Sequence, residues 1–158
     1  MSNIPSVTIA ETKSIIDTAN ALADAARRVI LPRFRSDLLI TENKSFQSFD
    51  PVTDADKIAE KAMINELKRL RPTDSVFGEE YGELKGESLY RWVLDPIDGT
   101  RAFIAGAPTW GVLISVEKVG TGAIFGIIDQ PYIGERFFGG LGLSEYRKSG
   151  KRIKLNTS

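Results

Sequence analysis

From Arg91 to Gly111 the chain reads RWVLDPIDGTRAFIAGAPTWG, and no other stretch constrains the fold as strongly. The apolar run Trp92-Val93-Leu94 predicts a strand that delivers Asp95 to its end. Pro96 has no N–H to donate, so the ladder is expected to stop there. Asp98 follows three residues after Asp95, and Gly99-Thr100 open a short segment of helical character. Two carboxylates on one tight turn beside a helix start form a chemical unit. Carboxylate oxygens suit hard cations such as Mg²⁺. Free N–H groups at a helix start suit a phosphate oxyanion. The pentapeptide Asp-x-x-Asp-Gly alone is also ordinary turn chemistry, because Asp and Gly are the commonest turn residues.

The rest of the chain supplies a scaffold for that turn. Thr8 and Glu11 are spaced as a capping box. Ile15, Ala19, Leu22, Ala26 and Val29 recur at four- and three-residue spacing, which predicts one apolar stripe on a helix ending before Pro32. Residues 37–50 predict a short strand and a polar loop holding Lys44 and Asp50. A second helix is expected to start at Thr53 or Asp54, to bury Ile58, Ala59, Ala62, Met63, Leu67 and Leu70, and to end at Arg71-Pro72. Ser75-Val76-Phe77 and Leu89 to Asp95 are predicted strands, with a polar loop from Tyr81 to Ser88 between them. Gly111 to Lys118 and Ala123 to Gln130 form a predicted hairpin. Glu135 to Phe138 and two last short strands around Ser149-Gly150-Lys151 follow, after a glycine-rich bend at Gly139, Gly140 and Gly142. Hairpins predominate, so the expected class is α+β: two long helices packed on a mainly antiparallel sheet.

Composition removes whole classes of chemistry. The 158 residues fit one domain, and 42% hydrophobic with 27% charged residues is the balance of a globular protein. The formal net charge is +0, so no long-range field draws the chain to nucleic acid or to an anionic membrane. Cys and His are both absent. Thiolate nucleophiles, imidazole bases and the usual zinc sites are therefore excluded. Catalysis would have to rest on carboxylates, hydroxyls, Lys or Arg, backbone N–H groups and oxygen-ligated metals. The N-terminal MSNIPSVTIAETKS lacks the pattern of a signal peptide, and no apolar run approaches the roughly 20 residues of a membrane span, so the expected location is cytoplasmic.

With Gly78-Glu79-Glu80 upstream, the hexapeptide DPIDGT resembles the signature of the inositol monophosphatase-like family of Mg²⁺-dependent phosphatases. RAFIAGAPTWGVLISV and DQPYIGERFFGG look most like its histidinol-phosphatase branch, and the resemblance runs from about Lys13 to Leu155. It implies that Glu79 and Asp95, with the carbonyl of Ile97, share the ion that activates water. Asp95 and Asp98 would hold a second ion opposite the leaving group. Thr100, with Asp56 behind it, would orient the water. The N–H groups of Gly99 and Thr100 would receive the phosphate, and Lys44 would lie at the rim. Glu80 fits either a supporting role or a plain surface acid. Asp50, Asp54 and Asp56 fit a capping cluster as well as function, and Arg101 fits either a substrate or solvent. Trp92 and Trp110 are expected in the core.

Members of that family continue through a second α/β layer, which contributes a further Asp as metal ligand. After Asp98 the sequence holds only Asp129, in a strand–turn context unlike that element. The chain thus resembles the N-terminal domain of such a phosphatase, residues 1–158 as one unit, with the C-terminal α/β domain missing. The implied substrate is a small phosphorylated metabolite, histidinol phosphate first, with inositol phosphates and other sugar or nucleotide phosphates as alternatives. A homodimer is compatible with the family. A remnant that keeps the fold and binds a partner without catalysis is the competing expectation.

Overall fold

The structure is a computed structural model, and it describes residues 7–37, 40–43, 51–148 and 151–155. Both long helices start by the same device. Helix α1 (Ile9–Ile30) is capped by Thr8, whose hydroxyl accepts from the Glu11 N–H at 3.2 Å while Glu11 accepts from the Thr8 N–H at 2.9 Å. Its stripe is buried as its spacing predicts: Ile15, Ala19, Leu22 and Ala26 have no exposed surface, and Val29 packs against the core from its edge. A 3₁₀ turn, Leu31–Arg33, takes Pro32 near its start, where the missing N–H costs nothing. Strands β1 (Thr41–Asn43) and β2 (Pro51–Thr53) then form a small antiparallel ribbon.

Helix α2 (Asp54–Leu70) is capped by Thr53, with Asp56 completing the capping box. Its buried face differs from the expected one. Ala55, Asp56, Ala59, Glu60, Met63, Ile64 and Leu67 are buried, whereas Leu70 is exposed and Ile58 and Ala62 are half-buried. The stripe is rotated because two of its members, Asp56 and Glu60, are carboxylates that an apolar count passes over.

The main sheet contains β3 (Ser75–Gly78), β4 (Gly82–Leu84), β5 (Tyr90–Asp98), β6 (Gly111–Lys118), β7 (Gly122–Gln130), β8 (Glu135–Gly140), β9 (Leu143–Lys148) and β10 (Lys151–Lys154). Their spatial order is β10-β9-β8-β7-β6-β5-β3-β4. Every neighbouring pair is antiparallel except β3 and β5, which run parallel. The short helix α3 (Thr100–Ile104) follows β5 directly. Helices α1 and α2 pack against each other and lie on one face, α1 over β6 and β7 and α2 over β5. The α+β class is as expected. None of the described helices is long and apolar enough to cross a membrane.

Two local expectations fail. The polar stretch after Tyr81 contains β4, which folds back on β3 through a turn that Gly82 enters at φ 70°. Pro96 does not end β5. Pairing with β6 runs to Asp95 opposite Leu113, breaks register, and resumes with Asp98 opposite Gly111. A bulge is where a strand tolerates a residue without a donor.

Candidate active site

Register alone brings the first two carboxylates together. The parallel pair places Ser75 beside Arg91 and continues to Gly78 beside Leu94. The next residue on each chain is Glu79 and Asp95, and their side chains hydrogen bond. Burial pushes the Asp95 pKa up to about 7, and the charges of Glu79 and Asp98 push in the same direction. The Glu79 hydrogen bond adds to the rise, while the Ile97 N–H donating to the carboxylate opposes it. Asp95 Oδ1 is buried without a hydrogen-bond partner. A buried carboxylate oxygen with nothing to accept is costly.

The bulge carries the third carboxylate out to solvent: Asp98 is exposed. Gly99 then turns the chain at φ 90° and ψ 38°, a left-handed conformation that favours glycine. A Cβ here would also lie 3.0 Å from the Thr109 carbonyl oxygen. Thr100 starts α3, and its hydroxyl donates to the Ile97 carbonyl at 3.1 Å. The turn is held from below by rings. Phe103, 1% exposed, meets Trp110 edge-on at 4.9 Å and Phe34 at 5.2 Å. Trp92 and Trp110 are core residues, as expected.

Asp56 is buried, and its Oδ2 accepts from the Thr53 N–H at 2.8 Å and the Thr53 hydroxyl at 2.5 Å. Burial raises its pKa, and the Thr53 bonds oppose the rise. Helix α3 packs against β2, which ends in Thr53, the residue to which Asp56 is hydrogen-bonded. The single O–H of Thr100 is given to Ile97. Lys44 and Asp50 lie outside the described residues. Arg101 is exposed. Asp54 works at the start of α2, accepting from the Ile40 N–H at 3.0 Å and pairing with Arg33 at 3.2 Å. Asp129 is fully buried between Arg27 and Arg136, under α1.

Among the described residues, no three carboxylates already stand as a metal-coordinating cluster. Glu79 and Asp95 are brought together, and Asp98 acts on Asp95 through its charge. The donor set still fits a hard cation. It is all oxygen, from three carboxylates and the Ile97 carbonyl, and one carboxylate oxygen is buried and unpartnered. One further residue escaped the sequence reading. Glu60 is fully buried and accepts the N–H groups of Glu80 at 2.7 Å and Tyr81 at 2.8 Å. An acidic residue four positions after Asp56 and four before Ile64, on the buried stripe of α2, was the available signal.

The model of the inositol monophosphatase family matches residues 11–158. The chain belongs to that family. It is 43% identical over 139 residues to the chloroplastic bifunctional phosphatase IMPL2 of Arabidopsis thaliana, covering 87% of this chain and 37% of the relative. It is 40% identical over 123 residues to the histidinol-phosphatase of Streptomyces coelicolor, covering 76% and 45%. Among solved structures, the extragenic suppressor protein suhB of Bartonella henselae superposes with a TM-score of 0.79 at 29% identity, covering 92% of this chain and 55% of that one. The chain thus spans less than half the length of these curated relatives. The inositol monophosphatase family consists of metal-dependent phosphatases, and the oxygen-only donors at the head of β5 suit that chemistry.

Proposed function

We propose that this chain carries the metal and phosphate half of a Mg²⁺-dependent phosphate monoester hydrolase acting on histidinol phosphate. The observation that carries the reading is the Glu79–Asp95 pair with its buried, unpartnered oxygen, one bulge away from Asp98-Gly99-Thr100. Glu79, Asp95 and the Ile97 carbonyl would hold one ion, and Asp95 with Asp98 a second. Mg²⁺ bound there supplies charge neutralisation and a water ionised near neutral pH, which answers the lack of any His base.

The chain's own groups do the rest. Because burial raises the Asp95 pKa and a ligating carboxylate must be deprotonated, cation binding would draw the proton off Asp95. Thr100 turns its O–H from the Ile97 carbonyl to orient the attacking water, and Asp56 behind it accepts the proton that Thr100 relays. The N–H groups of Gly99 and Thr100 receive the phosphate, with Lys44 at the rim. The left-handed turn at Gly99 brings backbone rather than side chain to that position.

The substrate in this reading follows the relatives: a histidinol-phosphatase at 40% identity supports a reaction in histidine biosynthesis. The family model itself favours a second reading, inositol 1-phosphate. The reading puts the enzyme in the cytoplasm, with a homodimer as its assembly. The test joins this chain to the remaining half of the Streptomyces relative and measures phosphate release. Mg²⁺-dependent release, faster from histidinol phosphate than from inositol 1-phosphate, is expected. The reverse preference would overturn the substrate, and no release from either would favour a remnant without catalysis.

A further inference from the structure

Glu60 lies on α2 with no exposed surface. Both of its carboxylate oxygens are used on backbone. Oε2 accepts from the Glu80 N–H at 2.7 Å and Oε1 from the Tyr81 N–H at 2.8 Å. The Glu80 N–H belongs to the peptide unit that immediately follows Glu79. Holding that unit fixes the ψ angle of Glu79, and holding the next one fixes the turn that leads away. On the other side, Glu60 Oε1 occupies the place of a Gly78 side chain: a Cβ there would lie 1.8 Å from it. The residues before and after Glu79 are therefore both set against one carboxylate. Bonds to a charged acceptor are the stronger kind, and these two are short.

We infer that Glu60 is a positioning residue for Glu79, which it holds beside Asp95 in the geometry that divalent cation binding requires. This rests on the reading of Glu79 and Asp95 as metal ligands. Glu60 itself is enclosed and touches no reacting atom. Its cost is a second buried carboxylate on the α2 face that already holds Asp56, and its return is a ligand aimed without a cation in place. Removing a partner that orients a metal ligand typically weakens affinity 10–100-fold. In Glu60→Gln the side chain keeps its size, but only one of its two ends can accept an N–H.

The control lies at the other end of the same strand. Asp74, just before β3, has a side chain only 2% exposed and takes the Trp92 indole N–H at 2.9 Å, the Ser88 hydroxyl at 2.6 Å and an ion pair with Arg71. Its loss harms packing far from Glu79. The experiment titrates Mn²⁺ into the chain and reads the free ion by electron paramagnetic resonance, alongside thermal unfolding without metal and amide exchange. Glu60→Gln should weaken Mn²⁺ binding about tenfold or more and speed exchange at Glu80 and Tyr81. Asp74→Asn should lower the unfolding midpoint at least as much and leave Mn²⁺ affinity within about twofold. Binding that is lost in Asp95→Asn but unchanged in Glu60→Gln overturns this inference alone. Equal loss in Asp74→Asn overturns it too, by reducing Glu60 to a stability effect. No Mn²⁺ binding by the unaltered chain, or full binding by Asp95→Asn, overturns the metal reading and this inference with it.

Discussion

The two faces of the main sheet are both apolar, yet only one is covered. On the inner face Trp92, Leu94, Val112, Ile114, Val116, Phe125, Ile127 and Phe138 are buried beneath α1 and α2. On the outer face the register lines up Leu113, Ile128, Phe137, Tyr146 and Ile153 in one row across five strands, with Asp95 at its head. Ile128 is 50% exposed and Ile153 41%, and Phe137 stacks on Tyr146 at 5.3 Å. Beside them the face holds a hollow of about 590 Å³ lined by Val93, Asp95, Leu113, Ser115, Ile128 and Phe137. Strands apolar on both sides carry the pattern of a sheet built for cover on both faces. The inner face accounts for the stability of the fold, while the outer face presents the site.

Mutation should separate the faces sharply. Trp92→Ala on the inner face should cost about 3–5 kcal/mol, because it removes a fully buried ring from between sheet and helices. Urea unfolding will read this as a lost or non-cooperative transition. Ile128→Ser on the outer face should stay within about 0.5 kcal/mol and reduce self-association and hydrophobic-dye binding. Comparable costs at the two positions would break the contrast.

The site at the head of the outer row should trade stability for ligand chemistry. The folded pKa of Asp95 is raised to about 7, above its unfolded value of 3.8. The protonated form is thus favoured on folding, so this contribution is full below pH 3.8 and is lost as pH rises through 7. Without metal, Asp95→Asn should stabilise the chain by about 1–2 kcal/mol at pH 8, the half-open site screening part of the full shift, with less gain at pH 5. Unfolding midpoints at the two pH values check the sign. In the joined protein, Thr100→Ala should lower turnover by about 10²-fold or more, with a smaller change in KM. Thr8→Ala, which loses an exposed cap far from the site, should cost about 1 kcal/mol in thermal or urea unfolding.

What the sequence revealed followed from what its signals measure. Caps, hairpins and the α1 stripe were legible because each is local: Thr8 with Glu11 and Gly111 to Lys118 need no distant partner to be recognised. The candidate site residues came from resemblance, and the β3–β5 register explains why Glu79 lies beside Asp95. The misses were non-local. Nothing within Gly82–Leu84 says that β3 offers it an edge, and Pro96 reads as a stop unless Asp98 is known to rejoin β6 opposite Gly111. Glu60 was hidden because its partners are backbone groups twenty residues away along the chain. Asp56 was expected either behind Thr100 or in a cap, and the structure shows the cap, its carboxylate closing the start of α2 on Thr53.

The most direct measurement is calorimetric titration of Mg²⁺ into the chain and into Asp95→Asn, near pH 6.5 and in buffers of different ionisation enthalpy. Asp95 holds a proton there in the absence of metal, so binding should be weak and accompanied by proton release. Asp95→Asn should show neither the binding nor the proton. Equal Mg²⁺ affinity in the two proteins would contradict a cation site at Glu79, Asp95 and Asp98, whereas binding by the unaltered chain that is lost in Asp95→Asn supports it.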